Sequence, residues 1–249
     1  MLKTIIKRNG QPEAYSPSKL NHWGMWASKK LGDRVDWSSV VSDAVKELPE
    51  TVGSQELQLA VINQCIQRRD WPHNLMAGRL YAPWLHKKLY NDEKLIPTVR
   101  ELFEKLRVLG LMKSLNYTAA EWQEAETIIQ HDRDYGYAHF QIDQIRKKYA
   151  IQNRVTKTEY ESPQFVFMRM AMALAEDEHP KMKMEHVRNW YNHFSLNRIN
   201  CPSPNYINLG TEHNGYASCV IYKAGDSAKS LAIGDHIAYT MTYMSAGIG

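Results

Sequence analysis

Three observations predict a mainly α-helical chain with a small β-hairpin at its front and the opening of an α/β layer at its back. Apolar residues recur at helical spacing through most of the first 200 positions, the 3.6-residue period of an amphipathic helix. An Asn9-Gly10 pair separates two short alternating segments near the N-terminus, the pattern of a hairpin. After position 200 a proline-rich turn leads to Ala217-Ser218-Cys219-Val220-Ile221-Tyr222, which reads as a buried strand, and then to one more helix.

The hairpin is expected over Thr4 to Tyr15, with Asn9 and Gly10 taking the two positive φ angles of a type I′ turn. Ser16 reads as an N-cap and Pro17 as a first-turn proline, where a missing N–H costs nothing. Leu20, Trp23, Ala27 and Leu31 follow at helical spacing. Ser54 is expected to cap a helix carrying Leu57, Val61 and Cys65. Pro72 opens another, with Leu75, Leu80 and Trp84 along one side and Pro83 expected to kink or shorten it. These elements make a first domain, 1–91, of ordinary size.

From 92 to 200 the pattern stays helical. Leu102, Leu106 and Leu109 form a stripe closed by Gly110 as the C′ residue. Thr118 and Glu121 make a capping box ahead of Trp122, Ile128 and Ile129. Gln164 to Ala175 and Met184 to Phe194 read as two further amphipathic helices, and Met168, Met170, Met172, Met182 and Met184 as core gap-fillers. The third part, 201–249, begins with Cys201-Pro202-Ser203-Pro204, expected to be extended because each proline pushes its predecessor out of the helical region. A helix over Lys229 to Thr242 and a glycine turn, Ala246-Gly247-Ile248-Gly249, complete it. One strand-loop-helix unit cannot bury both faces of its strand, so 201–249 reads as the start of an unfinished α/β domain.

Composition narrows the functions. The net charge of +4, from 31 basic and 27 acidic residues, is mild, and the basic residues are scattered rather than striped. Direct nucleic-acid binding is therefore not expected, and the aromatics fall on helical stripes rather than in a basic groove. Three cysteines, Cys65, Cys201 and Cys219, fit neither a disulfide scaffold nor a zinc motif. Their odd number argues for a reducing compartment. No apolar run approaches the roughly 20 residues that span a bilayer, and the opening residues carry no signal-peptide h-region. A cytoplasmic protein with no membrane contact and no metal of its own is expected. No phosphate loop or dinucleotide-binding glycine pattern is present. His131-Asp132-Arg133-Asp134 reads as a charged helix end paired with itself or a neighbour, and Cys219, on spacing alone, as a small hydrophobe on a strand.

Four ordered stretches carry a resemblance. Ile6-Lys7-Arg8-Asn9-Gly10 through Lys19-Leu20, with Arg79 to Lys88, resembles the ATP-cone, the regulatory nucleotide-binding module of ribonucleotide reductases. His131 to Asp134, with Gln152-Asn153-Arg154-Val155 and Tyr160-Glu161-Ser162-Pro163-Gln164-Phe165, is similar to the helical N-terminal region of the class I large subunit. Pro202-Ser203-Pro204 before Asn205 resembles that family's substrate-phosphate segment. Ser218-Cys219-Val220 with Gly225-Asp226-Ser227, closing on Ala246-Gly247-Ile248-Gly249, resembles the first strand and loop of the ten-stranded α/β reductase barrel.

The resemblance implies an oxidoreductase subunit that reduces ribonucleoside diphosphates to deoxyribonucleotides for DNA synthesis, by radical chemistry that oxidises a cysteine pair. Cys219 matches one thiol of that pair, Ser203, Ser218, Ala246 and Gly247 match substrate-binding positions, and Asp226 and Ser227 match the specificity-effector loop. Lys7, Arg8, Glu13, Ser16, Lys19, Ser54 and Lys87 match the cone's allosteric site for ATP or a deoxynucleoside triphosphate, Glu13 near base or ribose. Gln58 stands where a histidine is common, Ser16 replaces an asparagine, and Ser54 replaces a frequent threonine. The implied partners are a chain carrying the remainder of the large subunit, a metal-containing small subunit that supplies the radical, and a thioredoxin- or glutaredoxin-type reductant. The radical cysteine and the second thiol have no match here, so the chain is expected to be one piece of a split or truncated enzyme, inactive alone. A non-catalytic nucleotide-binding regulatory or interaction module is the alternative expectation.

Overall fold

The computed structural model of the chain describes residues 2–91, 95–153, 155–244 and 246–249. Arg154, part of one resemblance motif, lies outside them. Most of the described residues are helical, and they cluster into two units: Met1–Ile96 with Asp132–Gln144, and Pro97–His131 with Ile145–Gly249.

The first unit opens with β1 (Thr4–Ile6) and β2 (Pro12–Ala14), an antiparallel hairpin in which Ile5 faces Glu13. Its turn differs from the expected type I′. Gly10 N donates to Lys7 O and Lys7 N to Gln11 O, both at 2.9 Å, and only Gly10 has positive φ, +81°. This is a three-residue loop closed by a glycine bulge. Asn9 contributes through its side chain, which accepts from Gln11 N at 3.1 Å, a local Asx turn that removes any need for positive φ at the asparagine. Ser16 caps α1 (Pro17–Ser28) as expected. Then come α2 (Trp37–Lys46) and β3 (Thr51–Gly53), which pairs in parallel with β1 and was not legible in the sequence.

In α3 (Ser54–Gln67) the cap is one residue earlier than expected: Gly53 holds the N-cap position and Ser54 is the first helical residue. Glu56 accepts from Gly53 N at 3.1 Å, so the Ser54 side chain is not needed as a cap. Pro83 does not end α4 (Trp71–Tyr90), which runs through it. The proline removes one backbone bond, while Leu80, Tyr81, Ala82, Trp84 and Leu85 around it are all buried, a larger opposing term.

The second unit begins with α5 (Val99–Val108) and α6 (Ala119–Ile128), each opened by a Thr-Glu capping box, Thr98 with Glu101 and Thr118 with Glu121. Gly110, at φ +68°, ends α5 as expected. The chain then rejoins the first unit through a 3₁₀ turn, His131–Gly136, and α7 (His139–Gln144). Here the charged tetrapeptide finds its structural use: fully buried Asp134 accepts from or pairs with His86 Nε2 on α4 at 2.8 Å. Gly78 lets this segment approach, since a Cβ there would lie 1.9 Å from Tyr137 O.

Back in the second unit, a single wide turn (Ile145–Tyr149) and a two-residue hairpin of β4 (Gln152–Asn153) and β5 (Thr158–Glu159) lead to α8 (Pro163–Ala175) packed on α9 (Pro180–Ser195). Met168, Met170, Met172 and Met184 are buried; Met182 is 43% exposed, on the solvent side of α9 rather than in the core. The segment expected to be extended is helical from Ser203, as α10 (Ser203–Asn208), with Pro204 in its first turn. Proline there sacrifices no bond, and Arg169 fixes the other end. Its guanidinium, fully buried, pairs with Glu161 at 2.8 Å and donates to Tyr206 O at 3.1 Å and to Leu209 O.

Last come β6 (Cys219–Val220), α11 (Ala228–Tyr243) and β7 (Gly247–Ile248). The expected buried strand is shorter and open: Cys219 is exposed and Ile221 is 90% exposed. Among the described residues β6 pairs only with β7, and Val220 is half-buried while Cys219 and Ile221 are exposed. The expected glycine turn is β7 itself, parallel to β6.

Candidate functional site

The sequence alternates along the hairpin and repeats every third or fourth residue along the helices that follow, and both periods aim side chains at one place. Successive strand residues point to opposite faces, so Ile5 and Lys7 share a face with Glu13, the partner of Ile5, and with Tyr15 two residues on. On α1, Ser16, Lys19, Leu20 and Trp23 lie one above another, as do Ser54, Leu57 and Gln58 on α3. With Lys87 from the last turn of α4 these residues line a cleft of about 460 Å³. Six of the seven residues expected at the cone's effector site therefore meet: Lys7, Glu13, Ser16, Lys19, Ser54 and Lys87. Arg8 is exposed in the hairpin loop and is not among the lining residues.

The cleft has a polar and an apolar side. Lys7 and Lys19 both pair with Glu13, on its Oε2 and Oε1 respectively. The N-termini of α1 and α3 add the positive ends of two helix dipoles, the backbone arrangement that receives phosphates elsewhere. Leu20, Trp23 and Leu57 form the apolar side. Partial burial raises the Tyr15 phenol above its ordinary value, and its hydroxyl can donate or accept a hydrogen bond. The arrangement suits a ligand with a planar apolar end and an anionic end.

A second cluster lies around β6. Cys219 pairs with Gly247 in the ladder, and Gly247 N donates to Ser218 O at 2.7 Å. A Cβ on Gly247 would stand 3.7 Å from Cys219 Sγ, so Ser218, Cys219, Ala246 and Gly247 are contiguous. Ser227 caps α11 through a bond from Ser230 N at 3.2 Å, with Asp226 exposed just before it. Ser203 sits at the start of α10, its Oγ 3.3 Å from Tyr149 Oη. The three cysteines differ: burial pushes the Cys65 thiol up to about 12 and raises that of Cys201, while Cys219 is exposed. Among the described residues no group of three or more His, Cys, Asp or Glu side chains is placed to hold a metal, and no helix is long and apolar enough to cross a membrane.

Residues 135–214 match the family model for the ribonucleotide reductase all-alpha domain. The chain is 27% identical to ribonucleoside-diphosphate reductase 1 subunit alpha of Escherichia coli, over 98% of its own length and 33% of the relative's. It is 28% identical to the ribonucleoside-diphosphate reductase subunit alpha of Enterobacteria phage T4, over its full length and 33% of that protein. The similarity to ribonucleotide reductase large subunits therefore runs along essentially the whole chain, with the all-alpha domain match inside it. The chain spans about a third of the length of the curated relatives it matches.

The cleft residues not singled out as site residues from the sequence are Ile5, Ala14, Tyr15, Leu20, Leu57 and Trp23, with Gln58 noted there only as a departure. The signal for them was available. Strand alternation puts Ile5 and Tyr15 beside Lys7 and Glu13, and helical spacing puts Trp23 one turn beyond Lys19. Read only as core stripes, they hid a shared wall.

Proposed function

We propose that the chain supplies the effector-binding surface and part of the catalytic surface of a ribonucleoside-diphosphate reductase large subunit. The observation that carries this reading is the convergence of Lys7, Glu13, Ser16, Lys19, Ser54 and Lys87 on one cleft from four separate elements. The ligand is ATP or a deoxynucleoside triphosphate, with its phosphates at the lysines and helix N-termini and its base against Trp23, Leu20 and Leu57. In this reading 1–91 is the cone, 92–200 the helical domain and 201–249 the start of the barrel, with 132–144 packed into the first of them.

Cys219 serves the reduction. Replacing a ribose 2′-hydroxyl by hydrogen releases water and takes two electrons and two protons, which two thiols supply on becoming a disulfide. The second thiol belongs to sequence outside these 249 residues; Cys65, buried and protonated up to about 12, is unsuited. A thioredoxin- or glutaredoxin-type dithiol resets the pair by exchange. The radical comes from a separate metal-containing small subunit. The exposed apolar side chains of α11, Leu231, Ile233, Tyr239 and Tyr243, support a covering by the remainder of the large subunit. Ser203, Ser218, Ala246 and Gly247 face the substrate, and Asp226 and Ser227 the specificity effector.

Titration calorimetry with ATP and dATP tests the cleft: saturable binding is expected, weakened about tenfold by Lys7→Ala or Lys19→Ala. A folded chain that binds neither nucleotide sinks this part. Assembly with the rest of the large subunit and a small subunit tests the chemistry. Ribonucleoside diphosphate reduction is expected, and Cys219→Ser is expected to abolish it; undiminished turnover by that variant overturns the catalytic role.

A further inference from the structure

The same cleft holds an arrangement that the nucleotide reading leaves unused. Each of the Glu13 carboxylate oxygens is taken by a lysine that the reading assigns to phosphates. Lys7 reaches Oε2 from the end of the hairpin, and Lys19 reaches Oε1 from the first turn of α1. The carboxylate thus occupies the anion's place between them. Glu13 is only 27% exposed, whereas the lysines are 50% and 71% exposed. The lysine heads can therefore swing off while the carboxylate remains at the cleft wall.

We propose that Glu13 is a built-in competitor that holds the phosphate-binding lysines until a polyphosphate displaces it. The proposal rests on the nucleotide-cleft reading and adds its regulation. Exposed ion pairs are individually weak, so the clamp opens at modest cost. An incoming anion must still repay two lost pairs and then sit beside a freed carboxylate. A ligand carrying several charges gains more from Lys7, Lys19 and Lys87 than it gives up, and one carrying a single phosphate does not. The clamp sets a charge threshold and keeps the cleft closed to abundant small anions.

Inorganic tripolyphosphate isolates this effect, because it lacks both base and ribose. Glu13→Gln keeps the side chain's size and removes its charge. Calorimetric titration of the full chain is expected to show the variant binding tripolyphosphate about threefold or more tightly than wild type, with Glu13→Ala moving in the same direction. Unchanged or weaker tripolyphosphate binding overturns the clamp. If ATP binding falls while tripolyphosphate binding is unchanged, Glu13 is a base or ribose ligand; the clamp fails and the nucleotide reading survives. If neither wild type nor variant binds either compound, both fail together.

Discussion

Helices α3 and α11 are close in length, 14 and 16 residues, and both start from local signals, yet they end in opposite environments. α3 buries Leu57, Val61, Ile62, Gln64 and Cys65, wedged between α2 and α4; α11 buries none of its residues. Its support is local: Tyr222 Oη donates to Ser230 O at 2.8 Å, and the missing Cβ of Gly234 admits the same ring, 2.7 Å from where that atom would stand. Capping and propensity write a helix from within. Covering its apolar face takes elements far away in sequence. The difference separates the regions of the proposed function as well: the cleft is built from packed elements, and the Cys219 cluster lies open.

The widest gap is expected in core truncation. Ile62→Ala on α3 is expected to destabilise the first unit by about 2–5 kcal/mol, measured by urea denaturation. A cost near zero would mean that α3 is no better anchored than α11. Next, Gly78→Ala on α4, beside α3, is expected to cost about 1–3 kcal/mol although alanine favours helices, because its methyl would strike the Tyr137 carbonyl. Stabilisation by this variant would refute that close approach.

Ser227→Ala, which deletes the cap of α11, is expected to cost about 1 kcal/mol, read as lost helicity in that segment. Ile233→Ala, on the uncovered face of the same helix, is expected to change stability by less than about 0.5 kcal/mol. A larger loss from Ile233→Ala than from Ser227→Ala would reverse the comparison.

Cys65 adds a pH dependence to α3. Its folded thiol is raised from 9.0 to about 12 by burial, so the folded state favours the protonated form. That stability is complete below the free-thiol value and is lost as pH rises from there through the folded value. Wild type is therefore expected to lose stability relative to Cys65→Val between pH 9.0 and about 12. Parallel curves would remove Cys65 from the buried core. In the same spirit, iodoacetamide at neutral pH is expected to label exposed Cys219 and spare Cys65.

Much of the helical framework was legible, for reasons that reside in short stretches. Thr118 with Glu121, Gly110 after Leu109, and Ser16 before Pro17 each act through neighbours within a turn, and each appears as expected. What misled were residues whose local tendency is overruled from a distance. Pro83 keeps its helix because its surroundings are buried. Ser203 is helical, with Arg169 securing the far end of α10. β3 escaped notice since Thr51-Val52-Gly53 is too short to show a period, and its reason to be a strand is β1, 47 positions earlier.

The candidate site divides in the same way. The identities of Lys7, Glu13, Lys19, Ser54 and Lys87 stand in the sequence, and so does Cys219. The sequence by itself also determined where helices start and stop, because caps, prolines and glycines act within a few residues. Only the tertiary structure decided that those five side chains meet in one cleft, that Glu13 lies between two lysines, and that the strand of Cys219 is open. Each of these depends on the distances between elements remote along the chain, and charge pairing and burial are set by those distances.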